Sequence, residues 1–525
     1  MIEDPVAFEV QKNALISVSR EMSVALRKTA LSPNIKERRD CSCALFDADG
    51  RLVAQSKDIP VHLGAMPLSV RACIEKVGED LIEGTMALLN DPFSGGSHLP
   101  DLTLVAPVYD DNERVAFVAN RAHHADVGGE SPGSMPGLSL SIKEEGVTIK
   151  PRIVVQKGKL TTDSISDLLR ETRTPDERLG DLRAQIAANT VGISRLHSVA
   201  KEKGWDRLTR TFKELHDYSE EMMAERLSKY SGLQSEFVDY MDSDGAGNWL
   251  IPISARIDIG DRSATINFEG TAAQVEGNIN CPLASTLSSV YYVFIVLFAT
   301  DIPTNEGCWS TLNIEVPDGS LLNPKHPAAV SAGNVETSQR IVDTILGAMA
   351  SIAPDRVPAA SQGTMNNVAI GGMDTRSNTQ FSFYETIGGG AGAMPGRHGV
   401  SGIHTHMTNT LNTPIESLEI SYPLRVRKYA IRSATGGRGE WHGGNGIIRE
   451  IELISEGCTV SIQSERRHSR PWGLQGGDSG VSGRNSILYD GQLHQLEAKT
   501  TVTAPEGAII RIETPGGGGW GKPMD

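Results

Sequence analysis

The sequence is poor in cysteine, in positive charge and in long apolar runs, and each shortage argues against a class of protein. Its six cysteines are scattered without a CxxC pair, which favours reduced core thiols over a disulfide framework. Acidic residues outnumber basic ones by 65 to 50, so the net charge of −15 argues against nucleic acid or an anionic membrane as a partner. The longest apolar run, Val290 to Ala299, is about half of the roughly 20 residues that a membrane span needs.

The N-terminal sequence also lacks a targeting signal, since Met1 to Pro5 has none of the character of a signal peptide. We therefore expect a cytoplasmic protein. Hydrophobic residues make up 39% and charged residues 22% of the chain, which are ordinary globular values. The 54 glycines are about a tenth of the chain, above the usual roughly 7%, and predict many tight turns.

The length of 525 residues exceeds what one hydrophobic core usually organises, so several domains are expected. Residues 1–232 are predicted to combine hairpins with helices. Asp4-Pro5 is typical of a helix N-terminus, and an Asp-Ala-Asp-Gly turn predicts a hairpin whose first strand follows Asp40. Helical periodicity dominates from Thr162 to Tyr230, where Thr174 to Glu177 reads as a capping box with proline at the first helical position.

The remainder of the chain is richer in strand. Residues 233–366 are predicted to form a mixed α/β domain with buried helices at Leu287 to Phe298 and Gln339 to Ile352. Residues 367–525 are predicted to form a glycine-rich, strand-rich C-terminal domain. The expected fold is mixed α/β (α+β) and multi-domain.

The strongest chemical signal is a hairpin-like stretch from Asn90 to Gly129. Leu102 to Tyr109 and Arg114 to Asn120 are Val-rich runs separated by four polar residues, the pattern of two antiparallel strands and a turn. If the hairpin is symmetric about that turn, Asp101 lies opposite Ala122. A carboxylate entering the first strand and an imidazole leaving the second would then lie side by side.

These side chains are candidate ligands of a divalent metal. His98 lies one short turn from Asp101, and His123 or His124 follows the second strand. Adjacent strand residues face opposite sides, so one of these two histidines can join Asp101; His123 is the first choice, and a one-residue change of register would exchange them. Imidazole and carboxylate ligands suit zinc, manganese or iron.

Three weaker motifs each have a structural as well as a functional explanation. His404 and His406 form an HxH pair that would share a face on a strand, where it could bind a metal or line a cleft. Gly516 to Lys522 matches part of a phosphate-binding loop, but Pro523 replaces Ser or Thr and no helix-forming segment follows, so we reject it. Gly129 to Gly133 matches GxSxG, but its internal proline does not open the helix that a nucleophile elbow needs. A serine hydrolase is a minor alternative.

Several long strings of the sequence resemble the hydantoinase B/oxoprolinase family. The matching stretches are ERRDCSCALFD (Glu37 to Asp47), NDPFSGGSHLPD (Asn90 to Asp101), RAHHADVGG (Arg121 to Gly129), HMTNTLNTPIE (His406 to Glu416) and TPGGGGWG (Thr514 to Gly521). The resemblance covers nearly the whole chain. It implies the smaller subunit of an ATP-dependent N-methylhydantoin or lactam hydrolase, and the related acetone and acetophenone carboxylases share the hairpin signature.

What the resemblance implies about the site begins with four metal ligands, namely Asp40, His98, Asp101 and His123. It also implies a larger partner subunit of hydantoinase A type, with an actin-like ATPase fold that binds ATP and Mg, and hence a hetero-oligomer. The implied reaction starts with phosphorylation of the carbonyl oxygen of a small cyclic amide by the partner. A water activated by the metal then opens the ring, and His124 or Asp126 moves the proton. The alternatives are ATP-dependent carboxylation of a ketone and a noncatalytic scaffold for the ATPase subunit.

Overall fold

A seven-stranded antiparallel sheet with helices packed against it forms the first part of the fold. The computed structural model describes residues 4–56 and 58–523. The elements of the first segment are α1 (Pro5–Thr29), α2 (Pro33–Lys36), β1 (Cys41–Asp47), β2 (Leu52–Gln55), α3 (Ala65–Val77), β3 (Met86–Leu89), β4 (Asp101–Asp110), β5 (Glu113–His123), α4 (Ile142–Glu145), β6 (Arg152–Gln156), β7 (Lys159–Leu160), α5 (Ser166–Glu171), α6 (Pro175–Lys203) and α7 (Trp205–Ser228). The strand order β2-β1-β5-β4-β3-β6-β7 places β4 and β5 at the centre of the sheet, with β1 beside β5.

The predicted helix caps of this segment have different outcomes. Asp4 caps α1 as predicted, because its carboxylate accepts hydrogen bonds from the backbone N–H groups of Val6 and Ala7. Thr174 precedes α6, and Pro175 occupies the first helical position, but the Thr174 hydroxyl makes no capping hydrogen bond. The capping-box part of the prediction is therefore wrong, although the helix begins where it was expected.

The middle segment contains a four-stranded sheet and two buried helices. Its elements are β8 (Gln234–Ser243), β9 (Trp249–Ile259), β10 (Ala264–Asn267), α8 (Leu283–Phe298), β11 (Leu312–Glu315) and α9 (Ser338–Ile352). The strand order is β11-β10-β9-β8, and α9 packs against β8, β9 and α8. A π-helical turn, Gly333–Thr337, leads into α9. Among the helices that the structure describes, none has the length and apolar character needed to cross a membrane.

The last segment contains two further sheets that enclose their own apolar core. Its elements are β12 (Asn367–Asp374), β13 (Thr379–Glu385), α10 (Ile415–Ser421), β14 (Leu424–Arg432), β15 (Gly446–Leu453), β16 (Cys458–Gln463), β17 (Arg484–Tyr489), β18 (Gln492–Leu496), β19 (Lys499–Ala504) and β20 (Ile509–Glu513). The strand orders are β13-β12-β16-β19 and β14-β15-β20-β17-β18. The mixed α/β, multi-domain prediction is confirmed.

Many glycines of the last segment lie in extended strings that touch side by side rather than in turns. The Gly517 N–H donates to the Gly444 carbonyl at 2.9 Å, and the Gly444 N–H donates to the Ala391 carbonyl at 2.8 Å. A Cβ on Gly517 would lie 2.1 Å from the Ala391 carbonyl oxygen. These three strings can pack this closely only without side chains. The prediction that the glycines mark tight turns is wrong for this region.

Each sheet lies within one of the three predicted segments, but the largest apolar core crosses the boundaries between them. Every sheet lies within one of 1–232, 233–366 and 367–525. The largest apolar cluster, however, runs from Ala44 through α8 and α9 to Met407, and so joins residues of all three segments. The site described next lies where these segments meet.

Candidate metal centre

The β4–β5 hairpin forms as predicted, but with a register that differs by one residue. Asp101 pairs with His123, and Leu102 pairs with Ala122. A β-bulge beside the Val108/Tyr109 step places an extra residue on β5, so the strands are not symmetric about the turn. The predicted pairing of Asp101 with Ala122 is therefore wrong. The observed register places the carboxylate directly opposite an imidazole.

Three of the four proposed ligands form one buried cluster. Asp101 Oδ1 lies 3.3 Å from His98 Nε2 and 3.4 Å from His123 Nδ1. One ligand atom from each of the three residues can be chosen so that all lie within 4.8 Å of one another. All three side chains are buried. His123, the first choice, joins Asp101 rather than His124, because the observed register places His123 directly opposite the carboxylate.

The donor set of this cluster fits a divalent cation. Separations of 3.3 and 3.4 Å are longer than good N–H···O hydrogen bonds. They match the roughly 3.4 Å between two ligands that each lie about 2.1 Å from a tetrahedrally coordinated ion. Both ring nitrogens of His98 and Nε2 of His123 are buried without a hydrogen-bond partner among the residues that the structure describes. Each buried polar atom left without a partner costs about 1–3 kcal/mol, a cost that a cation at this position would remove.

The cluster opens into a cavity, here called the metal cavity, of about 20 Å³, room for about one water molecule. Asp40 lines it from the first segment, Asn334 from the second, and Tyr384 and Met407 from the third. Distant parts of the chain therefore build one small site, in which the three clustered side chains are almost fully buried.

Asp40 faces the same cavity but does not join the three-residue cluster. Its backbone carbonyl accepts a hydrogen bond from the His123 N–H at 3.0 Å, which ties β5 to the start of β1. Its carboxylate lies 3.7 Å from Arg38 Nη2. Asp40 is thus placed beside the candidate ligands with its charge shared with an arginine.

Ser97 and Arg121 form a hydrogen-bonded chain that orients the Asp101 carboxylate. The Ser97 hydroxyl donates to Asp101 Oδ2 at 2.6 Å and accepts from Arg121 Nη1 at 3.2 Å. Burial alone would raise the pKa of Asp101, but the neighbouring imidazoles of His98, His123 and His62 hold it well below its usual range. The carboxylate is therefore ionised and oriented, as a metal ligand requires.

Tyr384 of β13 fixes the ring of His123. The two rings stack at 4.7 Å between centroids with 13° between their planes. Burial raises the pKa of Tyr384, so its phenol stays neutral and donates to Asn367 Oδ1 at 2.7 Å. The C-terminal segment thus positions a side chain of the N-terminal hairpin.

His62 is a functional candidate that sequence reasoning missed. It ends the short 3-10 helix Pro60–His62, and its Nε2 lies 3.5 Å from Asp101 Oδ2. Its Nδ1 shares a hydrogen bond of 2.8 Å with the Ser42 hydroxyl. A lone histidine in a loop has no distinctive spacing, so only the folded structure brings it to the cluster.

The structure places neither His124 nor Asp126 at the metal cavity. His124 Nε2 lies 3.0 Å from Gln185 Oε1 of α6, and burial lowers the pKa of His124 to about 4. Asp126 accepts hydrogen bonds from the Gly133 N–H and from the backbone and guanidinium of Arg173, which anchor the loop after β5. The geometry therefore does not support the predicted proton-transfer role of these two residues.

His404 and His406 do not lie on a strand, so the condition under which they would share a face is not met. His406 has a φ of 57°, which turns the backbone between them, and its Nε2 lies 3.8 Å from Asp343 Oδ1. Neither residue lines the metal cavity. The GxSxG stretch leads into a three-residue 3-10 helix, Pro132–Ser134, consistent with its rejection as a nucleophile elbow.

Glu336 is a second group that sequence reasoning missed. It lies in the same π-helical turn as Asn334, which lines the metal cavity. The Glu336 carboxylate accepts hydrogen bonds from the Met365 N–H at 3.0 Å and from Asn367 Nδ2 at 2.7 Å. Burial raises the pKa of Glu336 to about 7. Its second carboxylate oxygen has no hydrogen-bond partner.

Replacing Glu336 with glutamine is expected to stabilise the fold at neutral and higher pH. In the folded state Glu336 keeps its proton up to about pH 7, whereas in the unfolded state it loses the proton near the ordinary pKa of glutamate. The free energy of unfolding of the native protein therefore falls as the pH rises from that ordinary pKa to about 7. Glutamine does not titrate, and the gain should reach about 3 kcal/mol above pH 7 and vanish near pH 4. Urea unfolding across this range measures it. The exposed Glu506→Gln is the control; a gain that does not depend on pH would contradict the prediction.

The chain is similar to known proteins along almost its whole length. The model of a family described as Hydantoinase B/oxoprolinase matches residues 4–523. A protein of Methanocaldococcus jannaschii described as uncharacterized is 40% identical over 99% of this chain and 91% of its own length. 5-oxoprolinase 1 of Arabidopsis thaliana is 41% identical over 99% of this chain, which spans only 42% of that protein.

One solved structure is similar along almost its entire length. It is the crystal structure of an ATP-dependent caprolactamase from Pseudomonas jessenii, which superposes with a TM-score of 0.92 and 28% sequence identity. The superposition covers 99% of this chain and 92% of the caprolactamase chain. The arrangement of segments described above is therefore shared with a protein of known structure.

Proposed function

The chain belongs to the hydantoinase B/oxoprolinase family, and on that premise we propose that it is the metal-containing subunit of an ATP-dependent hydrolase that opens a small cyclic amide. The names of its relatives, 5-oxoprolinase and ATP-dependent caprolactamase, both point to lactam rings. The proposal covers hydantoins and lactams as a class.

The observation that carries the proposal is the buried cluster of His98, Asp101 and His123. These residues would hold the cation, Asp40 would face it from the fourth side, and zinc, manganese and iron all suit the ligand types. A divalent cation here would supply Lewis acidity to an attacking water and to the oxygen that gains negative charge. Ser97 orients the carboxylate, and the cavity of about 20 Å³ leaves room for about one water molecule.

ATP is required because an amide carbonyl is a poor electrophile. Phosphorylation of its oxygen would make the carbon more reactive, and overall one water adds across the C–N bond while a second is consumed as ATP becomes ADP and phosphate. We propose that a larger subunit of hydantoinase A type binds ATP and Mg. Two facts support this division: the sequence has no complete phosphate-binding loop, and the chain spans 42% of a 5-oxoprolinase. We also propose that the complex is cytoplasmic, because ATP is supplied in that compartment.

A substrate screen of the complex with its partner tests the reaction class. Hydantoins, lactams and ketones are offered with ATP, and both ADP release and the organic products are measured. Ring-opened amino acids without incorporation of labelled bicarbonate support the hydrolase. Incorporation of label into an organic acid would replace the proposal with ketone carboxylation, and the absence of any substrate-dependent ATP hydrolysis would favour a scaffold.

Replacing His62 with alanine is expected to weaken metal binding without unfolding the chain. His62 supports Asp101 rather than the cation, and loss of such a supporting group typically costs about 10–100-fold in metal affinity. Titration with zinc or manganese under competition from a chelator measures the change. His216→Ala is the matched control, since this buried histidine contacts the Leu52 carbonyl outside the cavity and its loss should leave metal affinity unchanged. Equal affinities for His62→Ala and the native protein would contradict this role.

A further inference from the structure

A second cavity, here called the antechamber, adjoins the metal cavity between α1, α8 and the loop after β2. Its volume of about 570 Å³ lies within the range of small-molecule sites. The metal cavity, at about 20 Å³, is too small for a cyclic amide, which has several ring atoms. A substrate must therefore bind beside the metal cavity, with only its reacting atoms reaching in.

The two cavities meet at a shared lining residue. Ile59 lines both of them. Ser42 lines the antechamber, and its hydroxyl accepts from the Ile59 N–H at 3.2 Å and contacts Nδ1 of His62, which lines the metal cavity. A hydroxyl in the antechamber is thus linked through one imidazole to the candidate ligand Asp101.

The opposite wall of the antechamber is the apolar face of α8. Tyr292, Ile295 and Val296 line it, and their spacing of three and four residues places them on one side of the helix. Burial raises the pKa of Tyr292 to about 12, so its phenol is uncharged at neutral pH. This wall suits the carbon atoms of a ring.

The charge of the antechamber suits an anion. Lys12 and Arg20 of α1 line it together with Asp58 and Asp301. Asp301 is bound by Arg226 at 2.6 Å, and Asp58 accepts from the Ser23 hydroxyl at 2.8 Å and from a backbone N–H. Lys12 is likewise paired with Glu9 at 2.6 Å, so Arg20 is the cation of α1 left to face a ligand. A phosphorylated cyclic amide carries the matching negative charge.

We infer that the antechamber receives the phosphorylated cyclic amide, with its ring against α8, its phosphate toward α1 and its reacting carbon toward Ile59. This inference rests on the proposed function and adds to it the place where the substrate binds. It also accounts for the linked Ser42 and His62, which connect the polar end of the antechamber to the candidate metal ligands.

Val296→Cys tests the inference in the assembled complex. All six native cysteines are buried, so a bulky maleimide should react at the introduced thiol, which replaces a side chain 45% exposed. Ile420→Cys, on α10 and away from the antechamber, is the control, since Ile420 is 79% exposed. Labelling rates are measured with ATP and each of 5-oxoproline, caprolactam and hydantoin, and ring opening, metal content and complex size are measured before and after labelling.

Labelled Val296→Cys is expected to lose ring opening by more than about 10-fold while it keeps its metal and its partner, because the label occupies the space of the substrate. The cyclic amide that is turned over should slow its labelling, and labelled Ile420→Cys should stay active. Unchanged turnover, labelling that ignores the substrate, or dissociation of the partner on labelling would each overturn the inference. Failure of the proposed function has a different signature, because the unlabelled complex would then lack metal or ring opening, and the inference would fall with it.

Discussion

Asp101→Asn is expected to lower the affinity for a divalent cation by more than about 100-fold and to abolish ring opening, because loss of a ligand exceeds the 10–100-fold effect of losing a supporting group. Asparagine keeps the size of the side chain and its contact with Ser97. It removes the negative charge that lies 3.3 and 3.4 Å from two imidazole nitrogens. The variant should therefore still fold. The cation, however, would lose Asp101, the one carboxylate of the three-residue cluster.

The measurement combines elemental analysis of the purified complex with titration of zinc, manganese and iron(II). The matched control is Asp110→Asn, an exposed carboxylate at the far end of the same strand β4, which should leave affinity and turnover unchanged. Circular dichroism monitors folding of both variants. Native metal affinity in a folded Asp101→Asn protein would remove Asp101 from the ligand set.

Gly517→Ala is expected to destabilise the C-terminal segment by about 3 kcal/mol or more, because the new methyl group cannot be accommodated by a side-chain movement. Its Cβ would lie 2.1 Å from the Ala391 carbonyl oxygen and 2.3 Å from the Ala391 carbonyl carbon. Both contacts are with backbone, so neighbouring glycine strings must separate. The hydrogen bonds between Gly517 and the carbonyl of Gly444 and between Gly437 and the carbonyl of Gly517 would be lost with them.

The thermal midpoint and the soluble yield of the variant measure this effect. Gly396→Ala is the control from the same glycine-rich region, since nothing lies within 4 Å of its added Cβ. Its φ of +78° alone should cost about 1–2 kcal/mol. If the two variants prove equally stable, close packing is not the reason for glycine at position 517.

The candidate ligands could be predicted because they flank two strands that the sequence marks clearly. Val-rich runs and a polar turn define β4 and β5, and strand alternation separates His123 from His124. Their register could not be predicted, because a β-bulge has no clear signal in a run of apolar residues. The bulge shifts the pairing by one residue from a symmetric hairpin, and this shift places His123 rather than Ala122 opposite Asp101.

The supporting groups were beyond reach of the sequence because they come from distant parts of the chain. His62 lies in a short turn, and Tyr384 lies on β13, far along the chain from the ring that it stacks upon. No local pattern states that these elements meet. The role of Asp126 also depends on a distant residue. Its position next to the histidines in the sequence suggests catalysis, but in the fold it accepts hydrogen bonds from Arg173 and anchors a loop.

Many glycines have a positive φ, as the turn prediction expects, but the close packing of the C-terminal glycine strings was not predicted. A high glycine count predicts turns when each glycine is considered alone. In this fold Gly444 and Gly517 serve contacts between separate strings of chain, which only tertiary structure specifies. The buried helices α8 and α9, by contrast, follow from apolar runs long enough to be recognised locally.

The central claim is that one cation held by His98, Asp101 and His123 is required for ring opening, and removal and return of metal tests it most directly. The native complex is stripped with a chelator, its metal content is measured, and turnover of the cyclic amide is followed as zinc, manganese or iron(II) is added back. We predict one divalent cation per chain, loss of ring opening in step with its removal, and recovery with at least one of the three metals. Full ring opening by a complex shown to be free of metal would contradict the account.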